Sequence, residues 1–318
     1  MKTMILKLLY LLLMLILISV ISFLAIHAAP NSFFAAGELN PNMTQEAVAN
    51  LKAVYGLDKT LLEQYLDWII NIATLNFGVS FVTGADVSSE ILKRLPITLT
   101  MNIISMVAVF SISIYLGIKA AMNFEKRADY AIRQLSLLSF SMPSFYLALL
   151  LILLFSLELD WLPIAGLHSI EAKEGVAYYT DMAWHLVLPV GVMIFVSLGS
   201  MSIYVRSLTL EILKSDYYFF ARTRGLSSKQ LLRYYVTPNL LPPVVTLLGL
   251  SLPGLIGGSV ILESIFGIDG MGQLFYLSAL SRDYPTIMGI LMITSFLTLA
   301  GNIIADVILV KINPFMKR

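Results

Sequence analysis

Cysteine is absent from this chain of 318 residues, which excludes a disulfide framework, a thiolate metal site and a cysteine nucleophile. Charge is scarce: Asp, Glu, Lys and Arg make up 13% of the sequence, where a soluble globular chain carries roughly 25%. Only three histidines are present. No Gly-x-x-x-x-Gly-Lys-Ser/Thr phosphate loop occurs, so the chain cannot bind ATP in that manner. What remains is apolar. Hydrophobic residues account for 58% and the mean hydropathy is +0.83, the composition of a polytopic membrane protein in one domain.

About 20 apolar residues cross the hydrocarbon core as a helix. Six stretches meet that length: Ile5–Ala29, Ile97–Met122, Ile132–Leu157, Trp184–Val205, Leu240–Leu262 and Thr286–Val310. The sequence therefore predicts an all-α protein with six transmembrane helices. It would be organised as a first helix over 1–29, an outer loop over 30–96, and a five-helix core over 97–318. A cleaved signal peptide is the alternative for the first stretch, since Lys2 and Lys7 precede it. Its length and the lack of a small-x-small site at Ile26-His27-Ala28-Ala29 favour a retained span.

Lysine and arginine set the orientation. With the N-terminus inside, the inner loops and ends hold Lys2, Lys7, Lys119, Lys126, Arg127, Arg133, Arg206, Lys214, Arg222, Arg224, Lys229, Arg233, Lys311, Lys317 and Arg318. The longer outer loops hold only Lys52, Lys59, Lys93, Arg94, Lys173 and Arg282. Both termini are expected in the cytoplasm of a bacterial inner-membrane protein surrounded by lipid.

The outer loop 30–96 has helical patterning at Thr44–Tyr55, a stop at Gly56, and a second start at Asp58 or Thr60 leading through Tyr65, Trp68 and Ile69. It reads as a cap on the bundle or a platform for an external delivery protein. The loop from Glu158 to Ala183 is acidic and reads as a solvated lip.

The inner segment 206–239 is the most informative. Ser215 or Asp216 can cap a short helix holding Tyr217, Tyr218, Phe219, Phe220, Ala221, Arg222 and Arg224, and Gly225 can end it. Ser227 and Gln230 have capping-box spacing and restart a helix. A helix this short is marginal alone, so partner contacts are expected to hold it. Its aromatics would fill a groove and its arginines would meet acids on the rim. An amphipathic stretch lying on the inner leaflet is the alternative.

The pattern of Ala221, Gly225 four residues on, and a following helix resembles the coupling segment of ABC-importer permeases. The leading acidic-Ala-Ala triplet of that family stands here as Phe219-Phe220-Ala221. Other stretches resemble the dipeptide, oligopeptide and nickel permease family in order along the chain. They include Tyr55-Gly56-Leu57-Asp58, Asn76-Phe77-Gly78-Val79-Ser80-Phe81, Arg94-Leu95-Pro96, Ser141-Met142-Pro143-Ser144-Phe145 and Asp160-Trp161-Leu162-Pro163. Arg224-Gly225-Leu226, Gly257-Gly258-Ser259-Val260-Ile261-Leu262-Glu263 and Arg282-Asp283-Tyr284-Pro285 follow. The sequence departs from the family at Tyr234-Tyr235, which replace a common Arg-His pair, and at Asn313-Pro314-Phe315 in the tail.

The resemblance implies a type I ABC-importer permease fold. It also implies a second permease subunit as a heterodimer partner, two cytoplasmic ATP-binding subunits and an extracytoplasmic substrate-binding protein. No cofactor, nucleic-acid partner or catalytic residue is implied. The coupling residues would be Asp216, Phe219, Phe220, Ala221, Arg222, Arg224 and Gly225. Cargo would be nickel, as a chelate, or short peptides, with a slight lean to nickel.

The fifth stretch is the expected path-lining helix, because Pro242-Pro243 and Pro253 interrupt its hydrogen bonding and Gly249, Gly254, Gly257 and Gly258 permit close approach. Candidate path residues are Pro253, Gly257, Gly258, Glu263 and Met142, although an acid at a helix end also fits Glu263. His27 and His185 are candidate metal contacts, since imidazole ligates nickel; unrelated interfacial histidines are the alternative. An ion-driven secondary transporter is the competing class, and the near-absence of charge at the span centres weighs against it.

Overall fold

A computed structural model of the chain describes residues 2–28, 59–171, 173–252, 254–257 and 260–312. The expected helix over Thr44–Tyr55 and its Gly56 stop, together with Pro253 and Gly258, lie outside these residues. The described residues are mainly helical, and their only strand-like pairing is one isolated bridge, Val79 with Asp86. They form two compact units, Met1–Pro96 with Gly270–Ala300 and Ile97–Asp269 with Gly301–Arg318.

In the first unit, α1 (Lys2–Ala28) is followed by α2 (Leu61–Ala73). Thr60 caps α2 in a reciprocal box with Glu63, as the Thr60 start in the sequence predicts. Hydrogen bonds from the Thr60 backbone and hydroxyl hold the Glu63 carboxyl below its ordinary range. Tyr65 and Trp68 suit a membrane interface by composition, but in the structure they pack on α1. The Tyr65 hydroxyl is 2.8 Å from that of Ser19, and the Phe23 ring lies against both side chains.

Helix α3 (Val87–Met122) begins ten residues before the apolar run, because the Asp86 carboxylate accepts from the Ser89 N–H and the helix tolerates Pro96. α12 (Met271–Ser281) and the start of α13 (Tyr284–Ile312) complete this unit. Its core is Phe77, Val87, Ile91, Met271, Ile290 and Met292. Asp283 ties the loop before α3 to α13: its carboxylate accepts from the Ser80 hydroxyl (2.5 Å), the Phe81 N–H (3.0 Å) and the Thr286 hydroxyl (2.8 Å).

The second unit contains the remainder of α3, then α4 (Arg127–Ser141), α5 (Ser144–Leu151) with a π-helical extension Ile152–Glu158, and α6 (Val176–Leu213). α7 (Asp216–Thr223) and α8 (Ser228–Leu231) follow, and a π-helical turn Leu232–Val236 leads into α9 (Thr237–Ser251). α10 (Gly254–Gly257) and α11 (Val260–Ile265) come next. One apolar core gathers Ile97, Met101, Leu147, Ala148, Ile152, Leu186, Val192 and Phe266. A second, nearer the basic segment, gathers Val109, Phe110, Val205, Ile212, Tyr218, Ala221, Val236 and Leu240.

The span pattern is less regular than the sequence predicts. Among the described residues, three helices are long and apolar enough to cross a membrane. They are Val87–Met122, Val176–Leu213 and the Tyr284–Ile303 stretch of α13. A fourth crossing exists if α4 and the segment Ser144–Glu158 count as one, but they meet at 101°. The bend sits at Met142-Pro143: a proline restricts the residue before it to extended backbone, and Met142 has φ −85° and ψ 125°. The fifth stretch is divided into α9, α10 and α11 rather than one helix. The helix runs on through Pro242 and Pro243 and breaks only after Ser251. α1 contributes an apolar stretch Leu9–Ala25. Large exposed apolar side chains are spread over these helices, among them Leu12, Ile21, Val107, Tyr115, Leu149 and Leu250, as expected where the surrounding medium is lipid or another apolar chain.

Candidate functional site

The basic segment folds into the two short helices its sequence predicts. Ser215 stands at the N-cap of α7 but makes no side-chain cap, its hydroxyl donating instead to Ile212 O at 2.6 Å. Gly225 ends the helix at φ +81°, a left-handed conformation that suits glycine. Ser227 and Gln230 form both bonds of a capping box at the start of α8. α7 has two faces. Tyr218 (8% exposed) and Ala221 (2%) are buried in the apolar core beside Val205, Ile212 and Leu231. Phe219 (61%) and Phe220 (62%) stand outward, their rings 5.9 Å apart edge to face. Tyr217, Asp216, Arg222 and Arg224 are exposed beside them. Thus the chain itself holds this short helix, through Tyr218 and Ala221, where its length alone pointed to a partner. Ala221 is an anchor, and the surface is made by the phenylalanines and arginines.

Two residues separate α7 from α6. Further up α6, Met193, Ser197, Ser200, Met201 and Tyr204 line a cavity of about 460 Å³, within the range of about 300–1,000 Å³ typical of small-molecule sites. α3 contributes Asn102, Ser105, Met106, Val109 and Phe110, and Leu247, Ser251, Gly254 and Leu255 complete the wall. The lining is mainly apolar, with hydroxyls, one amide and thioethers set into it, and no charged side chain is among it.

The polar groups are steadied by their own helices. The Asn102 amide donates to Thr98 O (2.8 Å), Ser200 to Ser197 O (3.3 Å) and Ser251 to Leu247 O (2.8 Å). The Ser105 hydroxyl donates to Met193 Sδ at 3.6 Å. Such donation to the helix leaves oxygen lone pairs available as acceptors.

The other residues singled out by sequence lie elsewhere. Glu263 is neither at the cavity nor an exposed helix-end acid: it is 1% exposed, and its carboxylate accepts from the Thr98 hydroxyl at 3.0 Å. Met142 packs against the apolar core at the α4–α5 bend. Gly257 ends α10, while its neighbour Gly254 lines the cavity with nothing within 4 Å of an added Cβ.

His27 stacks on Phe23 at 4.0 Å and has its ring nitrogens near Phe23 O and Gln64 Oε1. His185 Nδ1 lies 2.8 Å from Asp181 O. Among the described residues no group of three or more His, Asp or Glu side chains is arranged to hold a metal. The acidic loop is partly neutralised, since Asp181 is buried and bonded to Lys173 Nζ (2.5 Å) and to Ser169. Gly254 belongs to the stretch expected to line a path, but the cavity residues of α3 and α6 are not marked in the sequence, because serines, methionines and one asparagine inside apolar runs carry no local pattern. Their spacing along α6 (193, 197, 200, 201, 204) is helical, which alone could have grouped them.

Comparison with known proteins agrees with this architecture. Residues 113–318 match the family described as binding-protein-dependent transport system inner membrane component, and residues 1–102 match the N-terminal family of such membrane components. The oligopeptide transport system permease protein AppB of Bacillus subtilis (strain 168) is 34% identical over 298 residues, 93% of each chain. The di/tripeptide transport system permease protein DppB of Pseudomonas aeruginosa (strain UCBPP-PA14) is 33% identical over 291 residues, covering 87% of this chain and 85% of that one.

Among solved structures, a chain of the methionine ABC transporter MetNI in inward-facing conformations superposes with a TM-score of 0.51. It is 16% identical, and the match covers 69% of this chain and 95% of that one; the likeness is one of fold. The family matches describe a membrane transport subunit rather than an enzyme. The chain belongs to the family of binding-protein-dependent transport system inner membrane components, the permeases of ABC importers.

Proposed function

We propose that this chain is one half of the membrane path of an ATP-driven importer of di- and oligopeptides. The observation that carries the reading is the pairing of α7, an internally anchored helix with an exposed Phe-Arg face, with an uncharged, mainly apolar cavity that holds a few hydroxyls and one amide, on the helix that leads directly into α7. The exposed Phe219, Phe220, Arg222 and Arg224 suit an acidic-rimmed groove on a cytoplasmic ATP-binding subunit. Two such subunits, a second permease and an external binding protein complete the importer. With six crossings, the broken α9–α11 segment being the fifth, both termini lie in the cytoplasm, in accord with the lysine and arginine distribution.

Peptides fit the cavity better than a metal ion. Hydroxyl and amide groups can accept from peptide N–H groups and donate to carbonyls, and an uncharged wall passes cargo whatever its side-chain charge. The curated relatives are named for oligopeptide and di- or tripeptide transport. The nickel lean taken from sequence motifs has weaker support, since His27 and His185 both engage neighbouring protein atoms.

Uptake of radiolabelled trialanine and of radiolabelled nickel, in matched cells with and without the gene, tests the proposal. Loss of trialanine uptake alone is expected. Loss of nickel uptake alone would transfer the protein to the metal branch.

A further inference from the structure

Helix α6 connects the cavity to the docking helix, and two features hold it against its neighbours. The first is an ion pair. Asp129 on α4 is 1% exposed and takes both arms of the Arg206 fork, Nε to Oδ1 at 2.6 Å and Nη2 to Oδ2 at 2.7 Å. The Glu125 N–H donates to the same carboxylate at 3.1 Å, and the Arg206 guanidinium lies 5.5 Å from the centre of the Phe124 ring.

The second feature is backbone contact seven residues earlier on α6. A Cβ on Gly199 would fall 2.2 Å from Ser136 O and 2.8 Å from Ser139 Oγ. The Ser139 hydroxyl accepts from the Gly199 N–H at 2.9 Å and donates to Phe195 O. Seven residues are two helical turns, so both features face α4; Asp129, Ile132, Ser136 and Ser139 form the answering buried stripe. α3 grips α6 at the same two levels. Ser113 donates to Leu198 O at 3.3 Å, and a Cβ on Gly117 would lie 2.6 Å from Val205 Cβ and 2.9 Å from Arg206 N.

We propose that Asp129 and Arg206, with the Gly199 contact above them, are positioning residues that lock α6 to α4. Displacement of the docking helix then reaches the cavity wall without loss to rotation or sliding. This rests on the transport reading above. A buried ion pair is a poor source of stability compared with an apolar pair of similar volume. It is, however, directional: a bidentate fork fixes rotation and register, which apolar contact does not. Arg206 lies between the two ends that must move together, two residues beyond Tyr204 on the cavity and about 10 Å of helix before Leu213.

The experiment uses the assembled importer in proteoliposomes. A single reporter thiol is introduced on the cavity wall by Ser197→Cys, the only thiol in the permease because the sequence has none. Trialanine transported per ATP hydrolysed and thiol labelling with and without vanadate-trapped nucleotide are measured in this background and in Asp129→Leu/Arg206→Met. The apolar pair is expected to fold and assemble, and to hydrolyse ATP. Its transport per ATP should fall tenfold or more, and labelling of the reporter thiol should no longer respond to nucleotide.

Arg206→Lys, which keeps the charge but replaces the fork with a point donor, should show an intermediate loss and serves if the double variant does not accumulate. A double variant, or in its place the lysine variant, with the parental ratio and labelling response overturns the lock while leaving the transport reading intact. An assembled parental complex that hydrolyses ATP but takes up no trialanine above empty liposomes overturns both.

Discussion

Gly199→Ala is the sharpest test of the α4–α6 contact, because the same helix holds its own control. At Gly199 the new methyl group would lie 2.2 Å from a backbone carbonyl oxygen and 2.8 Å from the Ser139 hydroxyl. A carbonyl cannot rotate away as a flexible side chain can, so α4 must retreat by about 1 Å, an overpacking that costs about 1–3 kcal/mol. The retreat also stretches the two Ser139 hydrogen bonds, each worth about 0.5–1.5 kcal/mol.

At Gly191, two turns earlier, nothing lies within 4 Å of an added Cβ, and alanine should gain up to about 1 kcal/mol of helix propensity. The two variants should differ by about 3–5 kcal/mol, which at about 2–4 °C per kcal/mol is on the order of 10 °C in unfolding midpoint. Thermal unfolding of the purified permease in detergent, followed by near-ultraviolet circular dichroism, gives the comparison. A Gly199→Ala protein melting within a degree or two of the parent, or a Gly191→Ala protein falling as far as Gly199→Ala, would refute the close contact.

Gly225→Val places a β-branched residue at φ +81°, which costs about 1–2 kcal/mol locally; insertion should persist while transport per ATP falls severalfold, read by uptake in vesicles. Asp283→Ala removes the acceptor shared by Ser80, Phe81 and Thr286 and should cost about 2–4 kcal/mol, seen as faster proteolysis within 76–86. The depressed Glu63 carboxyl contributes stability that is present above the ordinary glutamate range and is lost as pH falls through its lower folded value. Amide exchange at the start of α2 should therefore rise only in acid. Glu263→Gln keeps an acceptor for Thr98 and should retain trialanine uptake; loss of uptake in a protein that still accumulates would favour proton-coupled transport.

Local chemistry was legible in the sequence and long-range chemistry was not. Thr60, Gly225 and the Ser227–Gln230 box fixed helix ends from neighbouring residues, so their spacing announced them. The break after Ser251 falls in a stretch that the sequence marks by its density of proline and glycine. The consequence of Pro143 was hidden, because a proline in an apolar run reads equally as a kink within one span or as the 101° turn observed. Asp129 and Arg206 are 77 residues apart; in the sequence Arg206 counts only as an inner-loop charge, and only folding makes the two partners. Glu263 was similarly ambiguous, since its hydrogen bond with Thr98 joins residues 165 apart.

On the transport reading proposed above, the length of α6 suits this helix, rather than the broken segment after it, to carry motion. Its 38 residues span about 57 Å at 1.5 Å per residue, against about 30 Å of hydrocarbon. Its internal Pro189 lies before the cavity residues, so the proline-free run 193–213 can line the cavity and still reach the start of α7. The segment from α9 to α11 breaks after Ser251, where the loss of continuous backbone hydrogen bonding permits hinging. A hinge is useful in a wall that must change shape and useless in a rod that must push. The bracing agrees with this division: the rod is gripped at Gly199 and Arg206 by α4 and at Leu198 and Val205 by α3, whereas Gly254, just beyond the break, has open space where a side chain would stand. On the transport reading proposed above, force applied at Phe219 and Phe220 would enter through the helix braced by α3 and α4 and end at the cavity wall that holds the break.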